Sequence, residues 1–159
     1  MNYKMMGRFI GQILAIEAVF MIPALLISVF RGESNAVSGF LLAIALIIVL
    51  SGGLLLLCRR TGRIFGAREG LVCVGLGWMA LSIMGCLPFW FSREIPRFMD
   101  ALFETVSGFT TTGSSVLSNV EGLSKGLLYW RSFSHWLGGM GVLVFLLAII
   151  PASGSDKGF

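Results

Sequence analysis

The sequence predicts an all-α membrane protein, with two N-terminal transmembrane helices followed by one helix–pore loop–helix repeat. Three observations predict it. Hydrophobic residues make up 56% of the 159 and charged residues only 13%, with a mean hydropathy of +0.89, which is a membrane composition. Four apolar runs each approach the roughly twenty residues that a helix needs to cross a bilayer. Between the third and fourth runs lies FETVSGFTTTGSS, residues 103–115, a short helical stretch ending in three threonines and a glycine. The net charge of +4 does not point to nucleic acid, because the basic residues gather at the ends of the apolar runs.

Residues 9–30 form the first predicted span, preceded by Lys4 and Arg8. The run is too long for a signal-peptide core, contains Glu17 and is followed by no small-residue cleavage site. A polar turn over 31–36 leads to the second span, 37–58. Arg59, Arg60, Arg63 and Arg68 then fall in one short connection opposed only by Glu69. By the positive-inside rule this loop is cytoplasmic, and so are both termini. The arginines read first as topology and second as a docking surface for a cytoplasmic regulator. The third span, 70–90, ends in Pro88, Phe89, Trp90 and Phe91, an aromatic group expected at the outer interface. The fourth, about 132–150, is preceded by Tyr129 and Trp130, read as a second interfacial marker, and returns to the cytoplasm. This divides the chain into a two-helix region with its loop (1–69), one repeat (70–151) and a polar tail (152–159).

The segment between the third and fourth spans carries the chemistry. A cation leaving water needs oxygens in place of its hydration shell, and a re-entrant backbone supplies them by turning successive carbonyls toward an axis. Gly113 tolerates the positive φ that such a path demands. A pore helix over about 97–107 aims its C-terminal partial negative charge at the same point. Irregular backbone at membrane depth is permitted only where protein or a water-filled cavity surrounds it. The predicted coordinating set is Thr110, Thr111, Thr112, Gly113 and Ser114, with K⁺ held by the backbone carbonyls of Thr110 through Gly113.

FETVSGFTTTGSS, followed by YWRSFSHWLGGMG at 129–141, resembles the membrane subunit of Trk-type bacterial potassium-uptake systems, of the Trk/Ktr/HKT superfamily. The resemblance covers nearly the whole chain, since Trk-type subunits also carry two helices before their first repeat. It implies a potassium-channel-like pore of four repeats, each with a degenerate filter containing one glycine, matched here by Gly113. It further implies K⁺ uptake across the bacterial cytoplasmic membrane, a dimer of full-length pore subunits and a cytoplasmic nucleotide-binding regulatory subunit. One repeat of four is present, so the chain is expected to be the N-terminal part of such a pore, the other three repeats being its partners along with membrane lipid. The rival reading is a truncated or split, non-conducting membrane protein that serves only in assembly.

The remaining candidates have two readings each. Glu104, under two turns before the threonines, is either a hydrogen-bonding support for the filter or a solvated helix residue; a buried carboxylate there is costly unless paired. Asp100 suits a helix start. Glu17, about 12 Å into the first span at 1.5 Å per residue, is an intramembrane carboxylate, read as a structural pairing or a water-exposed crevice. Gly138, Gly139 and Gly141 either let helices pack closely or bend the fourth span. Arg131 is an interfacial anchor or a partner for acidic residues of the outer loop. Cys58, Cys73 and Cys86 read as small core residues, and His135 lacks a cluster of other ligands. No phosphate loop, nucleophile arrangement or metal-ligand spacing appears, so the sequence predicts neither an enzyme nor a cofactor, K⁺ being the cargo.

Overall fold

The apolar runs become long helices. The computed structural model describes residues 3–59 and 66–154, and its elements are α1 (Tyr3–Arg31), α2 (Ser34–Leu57), α3 (Ala67–Gly85), α4 (Leu87–Phe91), α5 (Phe98–Phe109) and α6 (Lys125–Gly154). A 3-10 turn, Val120–Gly122, lies between α5 and α6. Among the described residues, three stretches are long and apolar enough to cross a membrane: Tyr3–Arg31, Ser34–Leu57 and Arg68–Phe91. The 30-residue α6 has the length of a fourth. Arg60 and Arg63 of the predicted cytoplasmic loop, and the end of the tail, lie outside the described residues.

Three boundaries differ from the sequence expectation, each for a local reason. The turn between α1 and α2 is only Gly32 and Glu33, not 31–36. Gly32 takes a positive φ of 69°, and the Glu33 and Gly32 amides donate to the carbonyls of Ser28 (3.0 Å) and Val29 (3.2 Å). That pair of bonds ends α1 by the glycine-dependent Schellman arrangement. The third span is not one helix: α3 stops at Gly85, and α4 restarts at Leu87 with Pro88 in its first turn. Proline has no amide to continue the helical ladder.

The fourth helix begins at Lys125 rather than near Ser132 because two distant carboxylates cap it. Glu33 accepts from the backbone amides of Lys125 (2.8 Å) and Gly126 (3.3 Å). Glu94 accepts from the Ser124 amide at 2.9 Å and from its hydroxyl. These satisfy amides that every helix start leaves open, and negative charge is favourable there.

Small residues set how closely the helices approach, as expected where lipid removes the hydrophobic incentive to pack. Ser51 on α2 donates to the Gly11 carbonyl of α1 at 2.6 Å. A Cβ on Gly39 of α2 would lie 2.8 Å from the Ser92 amide nitrogen, so α2 and the end of α4 meet backbone to backbone. Helix α5 wedges between α3 and α6. Trp130 on α6 is fully buried and donates its indole N–H to the Gly85 carbonyl at 2.9 Å. It is therefore a core anchor. Helix α6 runs unbroken through its glycines. A Cβ on Gly138 would collide with the Phe109 carbonyl and one on Gly141 with the Trp78 ring, whereas Gly139 has open space around it. Packing, not a bend, accounts for two of the three.

Candidate functional site

Helix α5 is amphipathic by residue choice. Ala101, Glu104, Thr105, Ser107, Gly108 and Phe109 are buried, while Met99, Phe103 and Val106 are exposed. Asp100 lies in its first turn, where a carboxylate suits the positive end of the dipole. Gly108 permits the closest approach to α6, since a Cβ there would run into the Ser134 side chain. The helix ends at Phe109, two residues later than Ser107, and Thr110 caps it with its amide on the Val106 carbonyl (2.9 Å).

After Thr110 the chain turns back over the helix end. The amides of Thr112 (3.0 Å) and Gly113 (3.4 Å) both donate to the Ser107 carbonyl, and the Thr111 amide donates to Gly108 (3.0 Å). Gly113 has φ 78°, as the turn requires, and Thr111 also sits in the left-handed region at φ 57°. A β-branched residue there is an outlier that costs on the order of 1–3 kcal/mol and persists only where the surroundings impose it. The hydroxyls help to impose it. Thr111 Oγ1 donates to the Thr110 carbonyl (2.7 Å). Thr110 Oγ1 donates to the Val106 carbonyl (2.7 Å) and so accepts from Thr112 Oγ1 (2.8 Å).

Two side chains tie the far end of the segment to the helix. Ser107 Oγ donates to the Ser114 carbonyl at 2.6 Å. Glu104, 1% exposed, receives three donors: Ser115 Oγ (2.5 Å) and the Val116 amide (2.7 Å) on Oε1, and Arg131 Nε (3.1 Å) on Oε2. The carboxylate is therefore paired and saturated rather than solvated. Arg131 thus partners an acidic residue of the segment between the third and fourth spans, the second of its two sequence readings.

His135, which the sequence left without a role, lies beside the segment. Its Nδ1 must donate to the Arg131 carbonyl (2.9 Å), because a carbonyl only accepts. In the neutral ring this leaves Nε2 as an acceptor, near the point where a Cβ on Gly113 would come within 4.0 Å of it.

The structure thus brings together Thr110, Thr111, Thr112, Gly113, Ser114 and Glu104, and adds Ser107, Ser115, Arg131 and His135. Thr110 through Ser115 are all exposed, so this chain leaves one side of the segment open. Among the described residues no three His, Cys, Asp or Glu side chains come together as a metal site.

The helical arrangement of the chain has counterparts among known proteins. Residues 36–159 match the model of the TrkH family, described as a cation transport protein. The chain belongs to the TrkH family. It is 34% identical over 156 residues to the Trk system potassium uptake protein TrkH of Halomonas elongata, covering 97% of this chain and 32% of that protein. Trk system potassium uptake protein TrkG of Escherichia coli is 29% identical over 154 residues, covering 96% and 32%. The crystal structure of the potassium transporter TrkH from Vibrio parahaemolyticus superposes with a TM-score of 0.87 at 31% identity, over 95% of this chain and 32% of that one. The chain therefore spans about a third of the length of these relatives. As a member of the TrkH family with this helical content, it is a multi-pass, all-α membrane protein.

Proposed function

We propose that this chain lines one side of a K⁺ pathway, with residues 110–114 as one strand of a selectivity filter and Glu104 as its support. The observation that carries the reading is the clamp on that segment. Ser107 holds both the amides of Thr112 and Gly113 and the carbonyl of Ser114, while Glu104 holds Ser115 and Val116. A segment fixed at both ends, with two positive-φ residues between them, has its carbonyl directions set in advance. Preset oxygens are what a dehydrated cation needs. The C-terminal end of α5, directed at the same point, adds a field that favours positive charge.

The chain supplies one such strand. The other sides would come from three further repeats, as in the four-repeat pores that this sequence resembles. The same resemblance supports a pore subunit that dimerises and docks a nucleotide-binding regulator in the cytoplasm. The arginines between α2 and α3 favour a cytoplasmic loop and cytoplasmic termini in a bacterial inner membrane. On this division residues 1–69 flank the pore and 70–151 form its first repeat.

The test is growth of a potassium-uptake-deficient bacterium on limiting K⁺. A Trk pore in which this chain replaces the corresponding N-terminal third should restore growth, and the 159-residue chain alone should not. A hybrid that inserts normally yet fails to restore growth would favour the rival reading, a non-conducting assembly partner.

A further inference from the structure

Gly113 is the least secured residue of the turn. Its amide reaches the Ser107 carbonyl at 3.4 Å, against 3.0 Å for the bonds made by the Thr111 and Thr112 amides. Glycine also has the widest conformational freedom of any residue, and the whole segment from Thr110 to Ser115 is exposed. One side chain meets Gly113 on the face where its own side chain would stand. Among the described residues, and apart from the neighbours of Gly113 in the chain, His135 Nε2 is the one heavy atom within 4 Å of a Cβ built there, at 4.0 Å. That is ordinary van der Waals contact.

The imidazole is itself fixed. Its Nδ1–H donates to the Arg131 carbonyl at 2.9 Å. Its Nδ1 edge lies over Gly108, where a Cβ would come within 3.6 Å. Arg131 and His135 are one turn apart on α6 and so project from the same face. Arg131 Nε holds Glu104 at 3.1 Å, and Glu104 in turn holds Ser115 and Val116. This face of α6 therefore reaches the segment at two points, through Glu104 beyond Ser114 and directly at Gly113.

We infer that His135 is a positioning residue for ion discrimination. Its ring backs Gly113 by contact and limits how far the Gly113 carbonyl can shift around ions of different size. Discrimination depends on how the surrounding oxygens are held, and at Gly113 hydrogen bonding holds them least. The ring acts here by its reach, since the Gly113 amide points to Ser107 and not to Nε2; the bond to Arg131 only orients it. This inference rests on the filter reading of residues 110–114.

The test is K⁺ and Na⁺ flux through His135 variants of the hybrid pore in liposomes, at matched insertion. His135→Asn keeps a donor for the Arg131 carbonyl and loses the Nε2 end of the ring. His135→Phe keeps a ring of that reach and loses the donor. A histidine that served only to bond Arg131 would make His135→Asn resemble the unsubstituted pore and His135→Phe resemble His135→Ala. The backing role gives the reverse order. K⁺ over Na⁺ discrimination should fall about fivefold or more in His135→Asn and His135→Ala, and stay within about twofold in His135→Phe. Discrimination kept in His135→Asn would overturn the inference, and so would its loss in an inserted His135→Phe. If His135→Phe does not insert, His135→Asn decides alone. Gly113→Ala, assayed alongside, separates the two readings. Relaxed discrimination in Gly113→Ala with none in His135→Asn overturns the role of His135 alone, whereas no change in either variant overturns the filter reading with it.

Discussion

Removing Glu104 should cost both stability and ion discrimination. Its Oε2 lies 3.1 Å from Arg131 Nε, with side-chain exposures of 0% and 16%. At that separation the gross attraction is about 5 kcal/mol for an effective dielectric near 20, most of it offset by desolvation. Breaking such a pair from one side costs roughly 3–5 kcal/mol. Here the lower end applies, because water reaches Arg131 as well as the exposed Ser115 and Val116. Glu104→Ala and Arg131→Ala are therefore each expected to destabilise by about 3 kcal/mol, with a coupling of about 1.5 kcal/mol between them. The assay is reversible unfolding of the single and double variants in mixed micelles. In the hybrid pore, freeing Ser115 and Val116 should also relax K⁺ over Na⁺ discrimination by about tenfold, the equivalent of 1.4 kcal/mol. Additive single effects, within about 0.5 kcal/mol, would show that the pair does not act as a unit. Unchanged discrimination would show that Glu104 does not support the segment.

Three further outcomes are expected. Gly113→Ala forces a Cβ onto a residue at φ 78°, a strain of about 1–3 kcal/mol; liposome flux should show weakened K⁺ over Na⁺ discrimination with normal insertion, while Ser118→Ala changes little. Gly138→Ala drives a Cβ into the Phe109 carbonyl and should destabilise by about 1–3 kcal/mol, whereas Gly139→Ala, with open space, should be neutral by thermal unfolding in detergent. Cysteine labelling should reach Arg63→Cys only from the cytoplasm and Glu121→Cys only from outside; external labelling of Arg63→Cys would invert the topology.

Much of this architecture was legible in the sequence because hydropathy reports burial in lipid one residue at a time. The spans, the short helix before the threonines and the positive φ of Gly113 all follow from local chemistry. The start of α6 did not, because its caps come from Glu33 and Glu94, remote in sequence, and no local signal near Lys125 announces them. The partner of Trp130 was not legible, because the Gly85 carbonyl, left open where α3 ends, is remote in sequence. Glu104 was legible by its place under two turns before TTTG. Arg131 was not fixed as its partner, since only the α5–α6 crossing at Gly108 and Gly138 brings the two together. The left-handed Thr111 was the least legible feature. A β-branched residue is a poor choice for that conformation, and only the surrounding bonds to Gly108 and the Thr110 carbonyl hold it there.

The central claim is that the carbonyls of residues 110–113 face a K⁺ path. The most direct measurement is anomalous scattering from Rb⁺ or Tl⁺, as K⁺ surrogates, in crystals of the hybrid pore. Density is expected on the pore axis beside those carbonyls, weakened in Gly113→Ala. Ordered ion density elsewhere along the pore, with none beside residues 110–113, would contradict it.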